Sequence, residues 1–255
     1  MCCDFRRERY DAGMIRIEPA LVVAAIAHGE HGVVARFLTE ELGLVAAYVP
    51  GGRGRKLRAI LQHGQVVALD LVERRPGQLR QAGVHPLASN LAMIHGAGAI
   101  AMVEYLAALA AATLPEDQPH PRLFPLFAAL FAAAGAGSDA PTKAAALVRL
   151  ELALLADLGL GLDLASCAAT GASDDLAYVS PKSRQAVSRG AGAPYAAKLL
   201  PLPAFLLAGG GGDADALADG LKLSGYFLAR NLLAGNPAEA RVWTARERLC
   251  GLLLA

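Results

Sequence analysis

Cysteine is scarce in this chain and poorly spaced. Of 255 residues four are cysteine, Cys2, Cys3, Cys167 and Cys250, and no two of them form a C-x-x-C pair. That excludes a disulfide scaffold and a zinc site built on paired thiols, and it fits the reducing cytoplasm. Aromatic residues make up only 5%, while alanine and leucine supply much of the 55% hydrophobic content. Helix-helix packing suits that composition better than a large β sandwich. The formal net charge is +1. A nearly neutral molecule has no global basic field, so any affinity for nucleic acid must come from local patches.

Long apolar runs are missing too, despite a mean hydropathy of +0.38. The longest candidate, Gly96 to Leu114, carries Glu104 in its middle and is mostly alanine, as in a buried bundle helix. No membrane span is expected. Met1 to Arg9 is charged with no apolar segment behind it, so no signal peptide is expected. Residues 1–13 lack periodicity and are expected to be a poorly ordered leader. Catalytic patterns are absent as well. The six histidines are scattered, and no H-E-x-x-H, G-x-S-x-G or Walker pattern occurs. His28-Gly29-Glu30-His31 reads as a turn beside a strand before it reads as a metal site. A binding function is expected, without catalytic residues, cofactor or metal.

What the chain does have is one dense stretch, Val49-Pro50-Gly51-Gly52-Arg53-Gly54-Arg55-Lys56-Leu57-Arg58. It combines three glycines with four cations. Glycine permits tight turns and close approach to a ligand, and Arg and Lys supply donors matched to phosphate. The stretch reads as a phosphate-contacting loop that leaves a sheet and precedes no obvious helix; a merely solvated turn is the alternative.

Five short strands are expected around it: Ile15 to His28 (starting after Pro19), Val33 to Thr39, Leu44 to Val49, Gly64 to Val72 and Gln78 to Val84. A five-stranded OB-type Greek-key barrel over residues 14–86 closes them economically, and an SH3-like barrel fits the count as well. From residue 87 to 255 the chain is expected to be helical and Ala/Leu-rich. Helices are predicted over Leu87–Leu114, Leu123–Ala134, Thr142–Leu158, residues 214–234 capped by Asp213 or Asp215, and about Thr244–Leu254. Leu147, Leu150, Leu154 and Leu158 form a stripe on the third of these, with Arg149 and Glu151 off it. Residues 162–200 read as an irregular insert. The fold class is therefore α+β.

Several segments together resemble a known family. His28-Gly29-Glu30-His31-Gly32, Arg36-Phe37-Leu38-Thr39-Glu40-Glu41-Leu42-Gly43 and Val49-Pro50-Gly51-Gly52-Arg53 resemble the opening of the RecO family of DNA repair proteins. Arg149-Leu150-Glu151-Leu152 with Leu158-Gly159, and Cys167-Ala168-Ala169-Thr170-Gly171 followed by Tyr178-Val179-Ser180-Pro181, resemble later segments in the same order. The resemblance runs from Met14 over nearly the whole chain. It implies a bacterial cytoplasmic recombination mediator without catalytic turnover. Such a mediator binds ssDNA and dsDNA and anneals complementary strands. It engages the acidic C-terminal tail of single-strand binding protein (SSB) and RecR, and helps load RecA. Many members hold a zinc on four cysteines. Here only Cys167 matches and Thr170 stands at the second position, so a zinc-finger-like remnant without metal is expected. Pro50 stands where the family usually has Lys.

Seven cations are the expected DNA contacts: Arg36, Arg53, Arg55, Lys56, Arg58, Arg74 and Arg75. Tyr48 and Phe37 are the nearby stacking candidates, with Phe37 better placed in the core. Arg149 is the candidate for the carboxylate of a partner's acidic tail, or else an Arg paired internally. The rival reading is a helical protein-interaction scaffold whose barrel holds a protein partner rather than DNA.

Overall fold

The computed structural model describes residues 9–10, 13–73, 77–88 and 95–255. By compactness the chain divides into residues 1–136 with 241–245, and residues 137–240 with 246–255.

The first unit is built on strands β1 (Arg9–Tyr10), β2 (Met14–His28), β3 (Gly32–Thr39), β4 (Gly43–Val49), β5 (Val66–Val72) and β6 (Arg80–Ala88). Their order is β1-β2-β3-β4-β6-β5, and β5 pairs back onto β2 to close the sheet. The β4–β6 pair is parallel, while the β2–β3, β3–β4, β5–β6 and β2–β5 pairs are antiparallel. Five strands closed in this order form the OB-type barrel expected from the sequence. Alternation builds its core: Val33, Ala35 and Phe37 face Val45, Ala47 and Val49, with Ile17, Val22, Val67, Leu69 and Val84 completing the interior. The leader expectation falls mostly outside the described residues; within it Arg9 and Tyr10 pair with Ile15 and Met14.

Two strands are longer than their prolines suggested. β2 already runs before Pro19, and β6 continues through Pro86 to Ala88. In both places the ladder shifts register, between Ile17 and Ala20 and between Val66 and Val67. A residue without an N–H is tolerated in a sheet at such irregularities. The helix expected from Leu87 therefore begins only at Ala97, as α2 (Ala97–Thr113), followed by α3 (Phe124–Gly135). Nearly every residue of α2 from Ala101 to Ala110 is buried, which explains its all-round apolar sequence.

One glycine pins this unit. Gly43 opens β4 at φ +71°, and a Cβ there would fall 1.8 Å from the Gln118 carbonyl oxygen. The adjoining main chain is fastened, since Asp117 N–H donates to the Leu44 carbonyl at 2.8 Å. Gly43→Ala is expected to destabilise the chain by more than about 1 kcal/mol, read from the denaturant midpoint.

The second unit holds α4 (Ala140–Asp157), the short α5 (Arg189–Gly192) and α6 (Phe205–Ala208), α7 (Ala214–Phe227) and the outer parts of α8 (Glu239–Leu253). Asp139 and Asp213 cap α4 and α7, accepting from the N–H groups of Thr142 at 3.1 Å and Ala216 at 2.8 Å. The α7 helix runs on into a π-helical turn, Leu228–Leu233. α8 starts five residues earlier than expected.

Two expectations are corrected here. Residues 162–200 are not irregular. They form most of a four-stranded sheet of β7 (Asp163–Cys167), β8 (Leu176–Val179), β9 (Gln185–Ser188) and β10 (Leu200–Pro201), in the order β10-β8-β9-β7. Its strands have two to five residues, too short for alternation to show in sequence. The second correction concerns Glu151, which lies off the leucine stripe yet is fully buried. Arg246 donates to its carboxylate through Nε and Nη2, both at 2.8 Å, and Nη2 also donates to the Leu221 carbonyl at 2.7 Å. Ser224 donates its hydroxyl to the same carboxylate. Gly225 leaves room for the guanidinium, since a Cβ there would meet Arg246 Nη1 at 2.6 Å.

Candidate nucleic-acid interface

The glycine-cation stretch is not an open loop. Gly51 takes φ +65° and its carbonyl accepts from Gly54 N–H at 2.8 Å, which turns the chain directly after β4. Gly52 passes so close to β3 that a Cβ would lie 2.8 Å from Val33 Cβ. Then, against the expectation that no helix follows, α1 (Arg55–Ile60) begins. Its sequence carries the signal for this, because Leu57, Ile60 and Leu61 sit at i, i+3 and i+4. Leu61 belongs to the barrel core, and Leu57 and Ile60 pack against it.

With the apolar side turned inward, Arg55, Lys56 and Arg58 are left exposed. Arg55 and Lys56 occupy the first turn, where no acidic residue is present. Cations there oppose the helix dipole, which favours negative charge at an N-terminus. No ion pair engages any of the three among the described residues. An arrangement that is locally unfavourable for the helix is favourable for an anion lying over it.

Arg53 stands beside them with a second task. Its Nη1 donates to the carbonyls of Gly29 at 3.1 Å and Glu30 at 3.0 Å, and its backbone N–H donates to His31 at 3.1 Å. It thereby fastens the β2–β3 turn to the start of α1. Between them lies an open cleft of about 380 Å³, walled by Ala25, Ala27 and Val33 on one side and by Arg53, Arg58 and Gln62 on the other.

Four of the expected cations are thus brought together at the start of α1, with Arg53 and Arg58 lining the cleft. Arg36 is placed elsewhere. It lies on the outer face of β3, where Nη1 donates to the Ala111 carbonyl at 3.3 Å and Nη2 pairs with Glu116 at 2.9 Å. Arg74 and Arg75 lie outside the described residues. Arg80, which the sequence did not single out, pairs with Asp117. Phe37 is fully buried in the barrel core.

Arg149 serves the second unit internally. Nη2 donates to the Phe205 carbonyl at 3.1 Å and to the Gly210 carbonyl, and the guanidinium lies 5.4 Å from the Phe205 ring centroid. It ties α4 to α6 (Phe205–Ala208) and the glycine-rich segment behind it.

A zinc does not fit the position that the family resemblance indicates. Cys167 is buried, and its sulfur accepts from the Ser188 N–H at 3.2 Å. Hydrogen bonds from Ser188, with a further one from Thr170, lower its thiol to about 6. Among the described residues no group of three or more His, Cys, Asp or Glu is placed to hold a metal. A single thiolate satisfied by its neighbours cannot make a tetrahedral site. Nor is any helix of the described residues long and apolar enough to cross a membrane.

Known proteins agree with this architecture along the chain. The family model described as recombination protein O N terminal matches residues 14–84, and that described as recombination protein O C terminal matches residues 97–238. A DNA repair protein RecO of Phenylobacterium zucineum is 45% identical over 213 residues, covering 83% of this chain and 86% of its own. One of Rhodospirillum rubrum is 41% identical over 244 residues, covering 89% of this chain and 97% of its own. One of Caulobacter vibrioides is 43% identical over 213 residues, with 83% and 86% covered. The first match spans the OB-type barrel together with the glycine-cation stretch, and the second runs from α2 through the small sheet and α7 to the residue before α8, so the chain belongs to the RecO family.

Proposed function

We propose that this chain is a DNA repair and recombination mediator that holds nucleic acid by its phosphates at α1. The observation that carries the reading is the group Arg55, Lys56 and Arg58: exposed, without a carboxylate partner among the described residues, and at the start of a helix where cations are disfavoured. Arg53, on the same wall of the cleft as Arg58, adds a fourth cation. Phosphate contacts of this kind are indifferent to sequence, and they allow both ssDNA and dsDNA to bind. A surface that neutralises two single strands without reading their bases lowers their mutual repulsion and leaves the bases free to pair, which suits strand annealing. The family and the relatives' names support a repair role; a cytoplasmic setting and the lack of catalytic turnover belong to the proposal. The partners we propose with it are those that the family resemblance implies: the SSB C-terminal tail, RecR and, indirectly, RecA.

Arg36 contributes to the DNA surface only if its pairing with Glu116 gives way, and Arg74 and Arg75 are not needed for the argument. At Arg149, a tail carboxylate would have to share the guanidinium with the Phe205 and Gly210 carbonyls.

Fluorescence anisotropy with labelled single-stranded and duplex oligonucleotides tests the reading, together with the rate at which complementary strands anneal. Binding of both forms at low salt and accelerated annealing are expected. A folded chain that binds neither form at low salt would overturn it in favour of the protein-binding scaffold.

A further inference from the structure

The outer face of the barrel next to this site carries an aromatic platform. Register places Ile26 opposite Val34, and Val34 opposite Tyr48, so the three lie side by side across β2, β3 and β4. Outward positions of a barrel strand ordinarily carry polar residues. Here they are apolar or aromatic, and Ile26 is 64% exposed. His28 pairs with Gly32, and its ring stands 6.0 Å from that of Tyr48 at 76°.

Gly32 explains how the Tyr48 ring is held. A Cβ at Gly32 would fall 2.2 Å from Tyr48 Cε2 and 2.5 Å from its hydroxyl oxygen. The ring therefore lies across the main chain where a side chain would otherwise stand. Gly32 is not among the positive-φ glycines, so its backbone does not require glycine. What the missing side chain provides is room for the ring. Tyr48 nonetheless stays partly exposed.

The platform and Arg53 share one turn, and the cleft lies on the other face of the β2–β3 hairpin, since Ala25, Ala27 and Val33, which wall it, alternate with Ile26 and Val34. His28 and Gly32 flank residues 29–31, whose carbonyls Arg53 holds. Further down the same face Arg36 is tied to Ala111 and Glu116, and Leu38 and Leu44 are buried. The open part of the face is therefore short, with room for one or two flat groups rather than an extended groove.

We propose that Tyr48, seated on Gly32 and flanked by His28, is a stacking platform for an unpaired base of a single strand whose phosphates lie on the α1 cations. The inference rests on the nucleic-acid reading above. Stacking on an aromatic ring is tolerant of sequence, because every base has a π face. A duplex keeps its bases paired inside and engages the cations alone. Tyr48 is thus the residue that separates single-stranded from duplex affinity.

Anisotropy with Tyr48→Leu and Tyr48→Phe tests this. Tyr48→Leu is expected to weaken ssDNA binding about tenfold and to leave duplex binding within about twofold, while Tyr48→Phe binds as the parent does. Unchanged ssDNA binding in Tyr48→Leu overturns the platform and leaves the phosphate site standing. An equal loss for both forms also overturns it. A parent chain that binds neither form removes the platform and the phosphate site together. Should Tyr48→Leu fold poorly, photo-crosslinking of a 5-iodouracil oligonucleotide to the unaltered chain replaces it. Crosslinks at Tyr48 or His28 are expected, and crosslinks confined to other residues overturn the proposal.

Discussion

Replacing Arg55, Lys56 and Arg58 together by glutamine is expected to lower ssDNA affinity by on the order of a hundredfold at low salt. The variant changes charge and little else. All three side chains are exposed, and the apolar contacts of α1 are made by Leu57, Ile60 and Leu61. Stability should hold or rise slightly, because cations leave the first turn of a helix that carries no acidic residue there. Circular dichroism and the denaturant midpoint check that the fold persists. Arg53 is left out deliberately. Its guanidinium holds the Gly29 and Glu30 carbonyls, so Arg53→Gln would loosen the turn as well as remove a charge. Duplex affinity should fall with ssDNA affinity, since both depend on phosphates. That parallel loss distinguishes this variant from Tyr48→Leu.

Breaking the buried pair in the second unit should have the largest effect on stability. Glu151 is fully buried, and its carboxylate receives Arg246 at two positions and the Ser224 hydroxyl. Arg246→Met leaves that carboxylate in the interior without its counter-charge. A loss of about 3–5 kcal/mol is expected, read from chemical denaturation. The double replacement Glu151→Met with Arg246→Met should recover most of it, because neither charge then remains to be desolvated. A double variant no better than Arg246→Met would show that shape rather than charge governs the site. Hydrogen exchange supplies a local readout, with faster exchange in α4 and in the C-terminal part of α8 for the single variant.

The barrel was readable because its strands alternate. Val33, Ala35 and Phe37 against Val45, Ala47 and Val49 announce one inward face, and turn residues separate the runs. Prolines misled at the edges, since Pro19 and Pro86 sit inside strands at register shifts rather than at strand ends. The first turn of α1 was hidden by charge. Four cations in six residues read as a loop, although Leu57, Ile60 and Leu61 carry a helical spacing. The small sheet of the second unit was not legible, because its short strands are rich in alanine and serine and pair across gaps in register. Glu151 illustrates a further limit. Nothing near it in sequence marks a carboxylate as buried, because its partner stands 95 residues away. The gathering of Arg53, Arg55, Lys56 and Arg58 at one site followed from their adjacency in the chain. The diversion of Arg36 to Glu116 depended on a helix end that no local pattern places there.

Whether phosphates lie on the start of α1 is measured most directly by the salt dependence of ssDNA binding. With Arg53, Arg55, Lys56 and Arg58 each neutralising one phosphate, log affinity against log salt should fall with a slope of roughly −3. In the variant lacking Arg55, Lys56 and Arg58 the slope should flatten to about −0.7. Equal slopes for the two chains, with both folded, would contradict the account and place the phosphate contacts elsewhere on the molecule.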